Sequence, residues 1–554
     1  MPGANIVFFG AVQAPVLSAT ANQLEVMVPA GATYEPVSVS INHFTVFTSL
    51  PFIVSFPADD ASISDSSFVP AGSFGAGTYP AAVAISDLNL DGKPDLVIAN
   101  SVGNNISVLE NNSTAGNISF KTKMDLISGP DPKRIAIGDL DGDGKPDIVV
   151  TDFNSGNASS ISVYRNTSNN GVLSFADKTD YASGNGSIGI AIADMNGDGR
   201  PDIIVASGNS GMFSIFKNIT TSPGSIAFDP KLDQTLSDHP DNIATADLDK
   251  DGKPDLIVAN FSGKSISIFR NSGSNGNISF APAIQYAVGD APTNVSTGDL
   301  DDDGKLDLIV GNYSSGSISF YKNLSDIGNI SFGFRQDSVL STTNISVADL
   351  NGDGKPDLCA GINLTGNISV LQNNHSGAGG FSFAPAVDFA TGNYDTYTAV
   401  GDLDGDGKPE LVAVNTLLNT VSILRNKIAD PVITAFSDTT GLSGKLITLT
   451  GKGFTGATAV SFGGTAADSF KVISSTRIDA AVGAGSSGNI TVVTPSGAGT
   501  IPGFRFIPEI SATESTTICR DGFVMLHSSA AENNQWYKDA VAVGGAGSNT
   551  FRAK

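Results

Sequence analysis

Cysteine is almost missing from this chain, with two residues, Cys359 and Cys519, in 554. That excludes a disulfide framework, and Cys359, inside an apolar run, reads as a small core residue. Cations are scarce as well: 31 Lys and Arg stand against 55 Asp and Glu, for a formal charge of −24. With no basic stripe to meet phosphate, nucleic acid is excluded as a partner. No apolar run approaches the roughly 18 residues of a membrane span, so no span is expected in this segment. The N-terminus has neither the basic start nor the apolar stretch of a signal peptide. The four histidines, His43, His239, His375 and His527, share no spacing, and no G-x-S-x-G, H-E-x-x-H or glycine-rich phosphate loop occurs. The expectation is a protein that is not an enzyme.

What is abundant is glycine, 62 residues, within a composition that is 40 % apolar. That combination predicts a globular, turn-rich, all-β chain, and the length predicts two to four domains. The acid is gathered in knots. "GDLDGDGKPDIVV", Gly138 to Val150, sets Asp139, Asp141, Asp143 and Asp147 side by side and then turns apolar. Such a cluster of like charge implies a cation among the carboxylates.

The knot recurs seven times, beginning at Asp87, Asp139, Asp194, Asp247, Asp299, Asp349 and Asp402, with spacings of 52, 55, 53, 52, 50 and 53 residues. A fixed period of this size predicts a solenoid or a propeller. Within each period an apolar run leads into the acidic loop, followed by runs like "PDIVVTD", "SISVYRN" and "GNISFKTKMDLI". Four strands per period make a propeller blade, and seven periods make seven blades. The segment Ser67 to Gly77, ahead of the first loop, is expected to supply the outer strand that the last period lacks, removing an open edge. The "GNISF" asparagines, Asn117, Asn277 and Asn329, read as turn-to-strand junctions.

The loop pattern D-x-D/N-x-D-G-x-x-D shares its first six positions with an EF-hand loop but lacks the Glu at position twelve. It predicts about seven structural Ca2+ sites between strands. The first-position oxygens would come from Asp87, Asp139, Asp194, Asp247, Asp299, Asp349 and Asp402. Those of the third would come from Asn89, Asp141, Asn196, Asp249, Asp301, Asn351 and Asp404. The fifth position is Asp91, Asp143, Asp198, Asp251, Asp303, Asp353 and Asp406. The seventh would contribute a backbone carbonyl, from Lys93, Lys145, Arg200, Lys253, Lys305, Lys355 and Lys408, with the side chain screening the acidic rim. The ninth is Asp95, Asp147, Asp202, Asp255, Asp307, Asp357 and Glu410. Seven divalent ions would bring the charge from −24 to about −10.

These units resemble the FG-GAP/VCBS repeats of the seven-bladed β-propellers in integrin α-chains and many bacterial surface proteins. The resemblance covers residues 67–427, with Leu306 in place of Pro and Glu410 in place of Asp as departures. Residues 431–508 resemble a TIG/IPT immunoglobulin-like sandwich through "GKGF" and "VSFGGT". Residues 1–57 resemble the later part of the same module, and 509–554, with Cys519 and Trp536, the first part of a bacterial Ig-like module. Both ends are therefore expected to be cuts through longer modules.

The resemblance implies an extracellular module, secreted or on the cell surface, for adhesion or ligand binding. An accessory or catalytic propeller of a secreted polysaccharide-active enzyme is the alternative, and a purely architectural spacer a third reading. A protein or glycan ligand is expected on the face opposite the acidic loops, where loops vary most between repeats. Asp152, Phe261, Tyr313, Asp395 and Tyr397 are the contact candidates there.

Overall fold

The computed structural model describes all residues except 1–4, 21, 42–43, 57, 59–61, 155–158, 237, 275, 363–364, 378–379, 393–394, 496, 509, 513–523, 529–536, 539–540, 543–549 and 554. For 395–396, 510–512, 524, 537–538, 541–542 and 551–553 the backbone alone is described.

Each of the first six acidic periods folds into a four-stranded antiparallel sheet whose strands follow one another in chain order, and the seventh supplies three strands of such a sheet. The second blade is typical: Pro132–Gly138, Asp147–Asp152, Ser160–Tyr164 and Thr179–Ala182. The second strand is a continuous β-branched run, Ile148-Val149-Val150, and is buried along its whole length because neighbouring blades cover both its faces. The fourth strand is mostly exposed, as befits the rim.

Consecutive first strands contact one another round the full circle, so the seven blades close into a ring. Closure joins the two ends of the array. Phe68–Gly75 pairs antiparallel with Thr420–Asn426 and becomes the outer strand of the seventh blade. Phe68 is buried edge-to-face against Phe389 of the sixth blade, with ring centroids 5.2 Å apart.

Residues 5–56 belong to the same compact unit as the propeller. They form a sheet of Val12–Ala14, Asn5–Phe9, Pro36–Ile41 and Phe44–Pro51, with a hairpin of Val16–Ala19 and Leu24–Val26. Strand alternation gives this sheet two unlike faces. Val7, Phe9, Val37 and Val39 pack towards the hairpin, whereas Phe8, Ser38 and Ser40 line a cavity on the propeller axis. The sheet meets the acidic-loop end of the ring: Thr45 N donates to Gly199 O at 2.6 Å, Ser86 Oγ to Ala11 O at 2.6 Å and Asp299 N to Tyr34 Oη at 3.1 Å. Below it, first-strand residues of all seven blades enclose a cavity of about 1190 Å³.

The second compact unit holds a sandwich of two sheets, one of Val432–Phe436, Leu446–Lys452, Arg477–Ala481 and Ser469–Ser474. The other contains Thr440–Gly441, Gly497–Phe506, Gly488–Thr494, Ala459–Phe462 and Thr465–Ala466. Phe454, Phe462, Ile478 and Ile490 fill its core. Beyond it Ile510–Ala512, Val524–Ser528 and Thr550–Ala553 form one small sheet. His43, Cys519 and Trp536 lie outside the described residues. Among the described residues no helix is long and apolar enough to cross a membrane.

Candidate functional site

Every acidic loop connects the first strand of a blade to its second, and its carboxylates are held by the loop's own backbone. In the second blade Gly142 N and Gly144 N donate to Asp139 at 2.8 and 2.9 Å, Asp143 N to Asp141 at 3.1 Å, and Lys145 N to Asp143 at 2.9 Å. Gly144 at φ 86° makes the turn that lets these N–H groups converge, a conformation open to glycine. The ninth-position Asp147 accepts from Leu140 N at 2.9 Å and Asn166 N at 2.8 Å.

One carboxylate oxygen from each of Asp247, Asp249 and Asp251 lies within 4.8 Å of the others, and the same holds for Asp299, Asp301 and Asp303. In two further loops the first and third positions gather instead with the ninth: Asp139, Asp141 and Asp147, and Asp402, Asp404 and Glu410. Where the third residue is Asn89, Asn196 or Asn351, no such carboxylate triad forms among the described residues. Seventh-position side chains turn to the fifth carboxylate in four loops: Lys145 at 3.0 Å, Arg200 at 2.5 Å, Lys253 at 3.9 Å and Lys408 at 3.2 Å.

Burial drives the acids towards their neutral form. Asp139 is pushed up to about 7 by burial, reinforced by the charges of Asp143 and Asp141 and opposed by the Gly144 N–H. Asp202, Asp255 and Asp307 are also raised to about 7 by burial, and Asp95, Asp147, Asp357 and Glu410 well above the usual range. A hard cation reverses that tendency. The donor set fits one: it is all oxygen, and Asp301 Oδ1 is buried without a hydrogen-bond partner, as a cation-facing oxygen would be.

Sequence reasoning missed the residue that makes each loop a joint between blades. A buried asparagine stands two residues past the third strand of six blades, Asn111, Asn166, Asn218, Asn271, Asn323 and Asn373, and at the end of that strand in the seventh, Asn426. Asn218 Nδ2 donates to Pro201 O at 3.0 Å in its own loop and to Leu140 O at 2.8 Å in the loop of the preceding blade. The other six bridge in the same way, and Asn111 reaches Leu403 O of the last blade, completing the circle. Third-position residues add a second latch, to the turn of the following blade. Gly116 N, Gly224 N and Gly328 N donate to Asp404, Asp141 and Asp249 at 2.8, 2.8 and 2.9 Å. The signal was present in the sequence as an asparagine closing every "SISVYRN"-like run.

At the other end of the first strands stand the expected ligand-face residues. Asp152 requires a correction: it is fully buried, and its carboxylate accepts from Ser128, Ser160 and Ser162 hydroxyls at 2.7, 3.2 and 2.7 Å, so it offers no surface to a partner. Asn100, Asn260, Asn312 and Asn415 likewise bond a third-strand serine or threonine in their blades. Phe261 is half-buried, 5.8 Å from the His239 ring, and Tyr313 is 38 % exposed. Tyr397 lines the axial cavity beneath the Arg134 guanidinium, 4.7 Å from ring centroid to charge. The side chain of Asp395 lies outside the described residues.

Residues 87–150, 151–205, 247–310, 299–360 and 349–413 match the family described as FG-GAP-like repeat, and 431–503 match the IPT/TIG domain. A T-cell immunomodulatory protein homolog of Plasmodium yoelii yoelii is 29 % identical over 244 residues, covering 41 % of this chain and 33 % of the relative. Its namesake in Plasmodium falciparum (isolate 3D7) is 27 % identical over 246 residues, covering 41 % and 32 %. The chain thus spans about a third of the length of the curated relatives it matches. Among solved structures, BBS1N in complex with ARL6DN is 15 % identical over 66 % of this chain and 98 % of that one, at a TM-score of 0.43. Rhamnogalacturonan lyase YesW is 14 % identical over 77 % and 85 %, at 0.39. At these scores the likeness says nothing of activity.

Proposed function

We propose, for a chain that belongs to the FG-GAP-like repeat family, that it is a Ca2+-stabilised extracellular module that binds a protein or glycan ligand on the face opposite the acidic loops. The observation that carries this reading is that each acidic loop is committed to a joint between two blades, through the buried asparagine of one and the loop backbone of the other. Ca2+ would be held by the first, third, fifth and ninth side chains of each loop and would supply positive charge where burial disfavours ionised Asp139 and its equivalents. Millimolar extracellular Ca2+ fills sites of modest affinity. The FG-GAP and TIG modules are of a kind typical of extracellular proteins, which supports that location.

The acidic-loop face meets the N-terminal sheet, while Tyr313 is exposed at the other end and Arg134 lies over Tyr397 in the axial cavity. Aromatic and arginine side chains together are the usual anchors of binding energy. A glycan and protein array, screened in millimolar Ca2+, tests the assignment. Tyr313→Ala should abolish the signal of any partner found while leaving the melting temperature within about 2 °C, as expected of a change outside the packed core. A signal lost only on substitution in the sandwich at 431–503, or in the acidic loops, would place the partner elsewhere.

A further inference from the structure

The residue just before each buried asparagine follows the third position of the acidic loop in its own blade. Where that position is Asp141, Asp249, Asp301 or Asp404, the residue before the asparagine is Arg165, Arg270, Lys322 or Arg425. Where it is Asn89, Asn196 or Asn351, that residue is Glu110, Lys217 or Gln372. The geometry gives the pattern physical content. Arg425 Nε lies 3.0 Å from Asp404 Oδ2 and its Nη2 2.8 Å from Asp406 Oδ2. Lys322 hydrogen-bonds Asp301 and stands 2.9 Å from Asp303, and Arg270 is 4.0 Å from Asp251.

The other three side chains bring no positive charge to their loops. Glu110 accepts from Asn89 Nδ2 at 3.1 Å and is itself paired with Lys121. Lys217 donates instead to Gly276 O in the next blade at 2.8 Å, and Gln372 accepts from Ile63 N at 3.1 Å. Counting only the four side-chain ligand positions and the cation that meets them, four carboxylates with one cation, or three with none, leave three net negative charges in each ligand set; in the first loop the added charge of Glu110 is offset by Lys121. Nor does the cation exhaust the carboxylate it meets, since Asp301 Oδ1 stays buried and unpartnered beside Lys322.

We infer that the residue before the buried asparagine is a built-in counter-charge that brings the ligand sets of the seven loops to one net charge, and hence to one narrow class of Ca2+ affinity, so that all joints of the ring fill together. The inference rests on the Ca2+ reading above. It makes position three and that residue a coupled pair: one charge removed beside a divalent ion at roughly 6 Å in a water-like dielectric changes affinity about tenfold.

Equilibrium dialysis of the full chain against buffered free Ca2+, with ions bound per chain as the readout, tests the coupling. Arg425→Gln should tighten one ion about tenfold and Asp404→Asn should weaken one about tenfold. The double variant, which recreates the Asn-type loop, should restore the wild-type isotherm. The pair Asp301→Asn and Lys322→Gln repeats the cycle in another blade should the first variants fail to fold. Ions that bind while both double variants remain as weak as the Asp→Asn singles would overturn the counter-charge alone. A wild-type chain that binds no Ca2+ would overturn the Ca2+ reading and the inference with it.

Discussion

Replacing Asn218 by aspartate changes one atom of a buried staple and tests whether the joints between blades hold the ring. Asn218 is fully buried; its Nδ2 donates at 2.8 Å to Leu140 O and at 3.0 Å to Pro201 O, and its Oδ1 accepts from Thr220 N at 2.9 Å. Asn218→Asp keeps shape and volume but turns the donor towards two carbonyls into an acceptor. Two buried carbonyls lose their partner, at about 1 to 2 kcal/mol each, and the new carboxyl must either take a proton or repel them. A loss of roughly 3 kcal/mol is expected, with Asn218→Ala costing a similar amount although it also removes volume. Scanning calorimetry in saturating Ca2+ measures it as a fall of several degrees in the propeller transition, since larger domains shift by only about 2 to 4 °C per kcal/mol. A melt unchanged by Asn218→Asp, with Asn218→Ala destabilising, would mean that the side chain only fills space.

Asp241, 8 % exposed, is pushed up to about 6 by burial, with Arg134 and His239 pulling the other way. The folded state therefore holds its proton more tightly than the unfolded chain. Its contribution to stability is present below about pH 4 and is lost as pH rises through 6, so Asp241→Asn should flatten that slope and add roughly 1 to 3 kcal/mol at neutral pH, read by denaturant titration at several pH values. Phe68→Ala, at the closing strand, should cost about 3 to 4 kcal/mol and promote oligomers visible by size-exclusion chromatography as the seventh blade loses its edge cover. The Cys359 thiol, buried and pushed up to about 12 by burial, should stay unreactive to a thiol reagent in a Cys519→Ser background until the propeller unfolds.

The blade count and the acidic loops were legible because both are local: turn glycines, oxygen spacing and apolar runs are written along the chain in order. What escaped depends on partners far apart in sequence. Asn166 shows only as a repeated letter, while the carbonyl that explains it, Leu88 O, sits 78 residues away in another blade. Asp152 reads as a loop residue following a strand, yet antiparallel pairing with Ser160 sets it among serine hydroxyls in the interior. The seat of the N-terminal sheet on the acidic-loop end follows from contacts such as Thr45 with Gly199, which no periodicity encodes. The counter-charges were missed for the same reason, since Arg425 and Asp404 stand 21 residues apart and meet only through strand pairing.

A pair of thermal melts, one in millimolar Ca2+ and one in excess chelator at equal ionic strength, measures whether bound Ca2+ holds the blades of the ring together. With seven loops as joints of one ring, ions that bind only the folded chain must stabilise it by mass action. The propeller transition should fall many degrees in chelator and return when Ca2+ is added back. Coincident transitions in the two conditions would contradict a ring held by Ca2+.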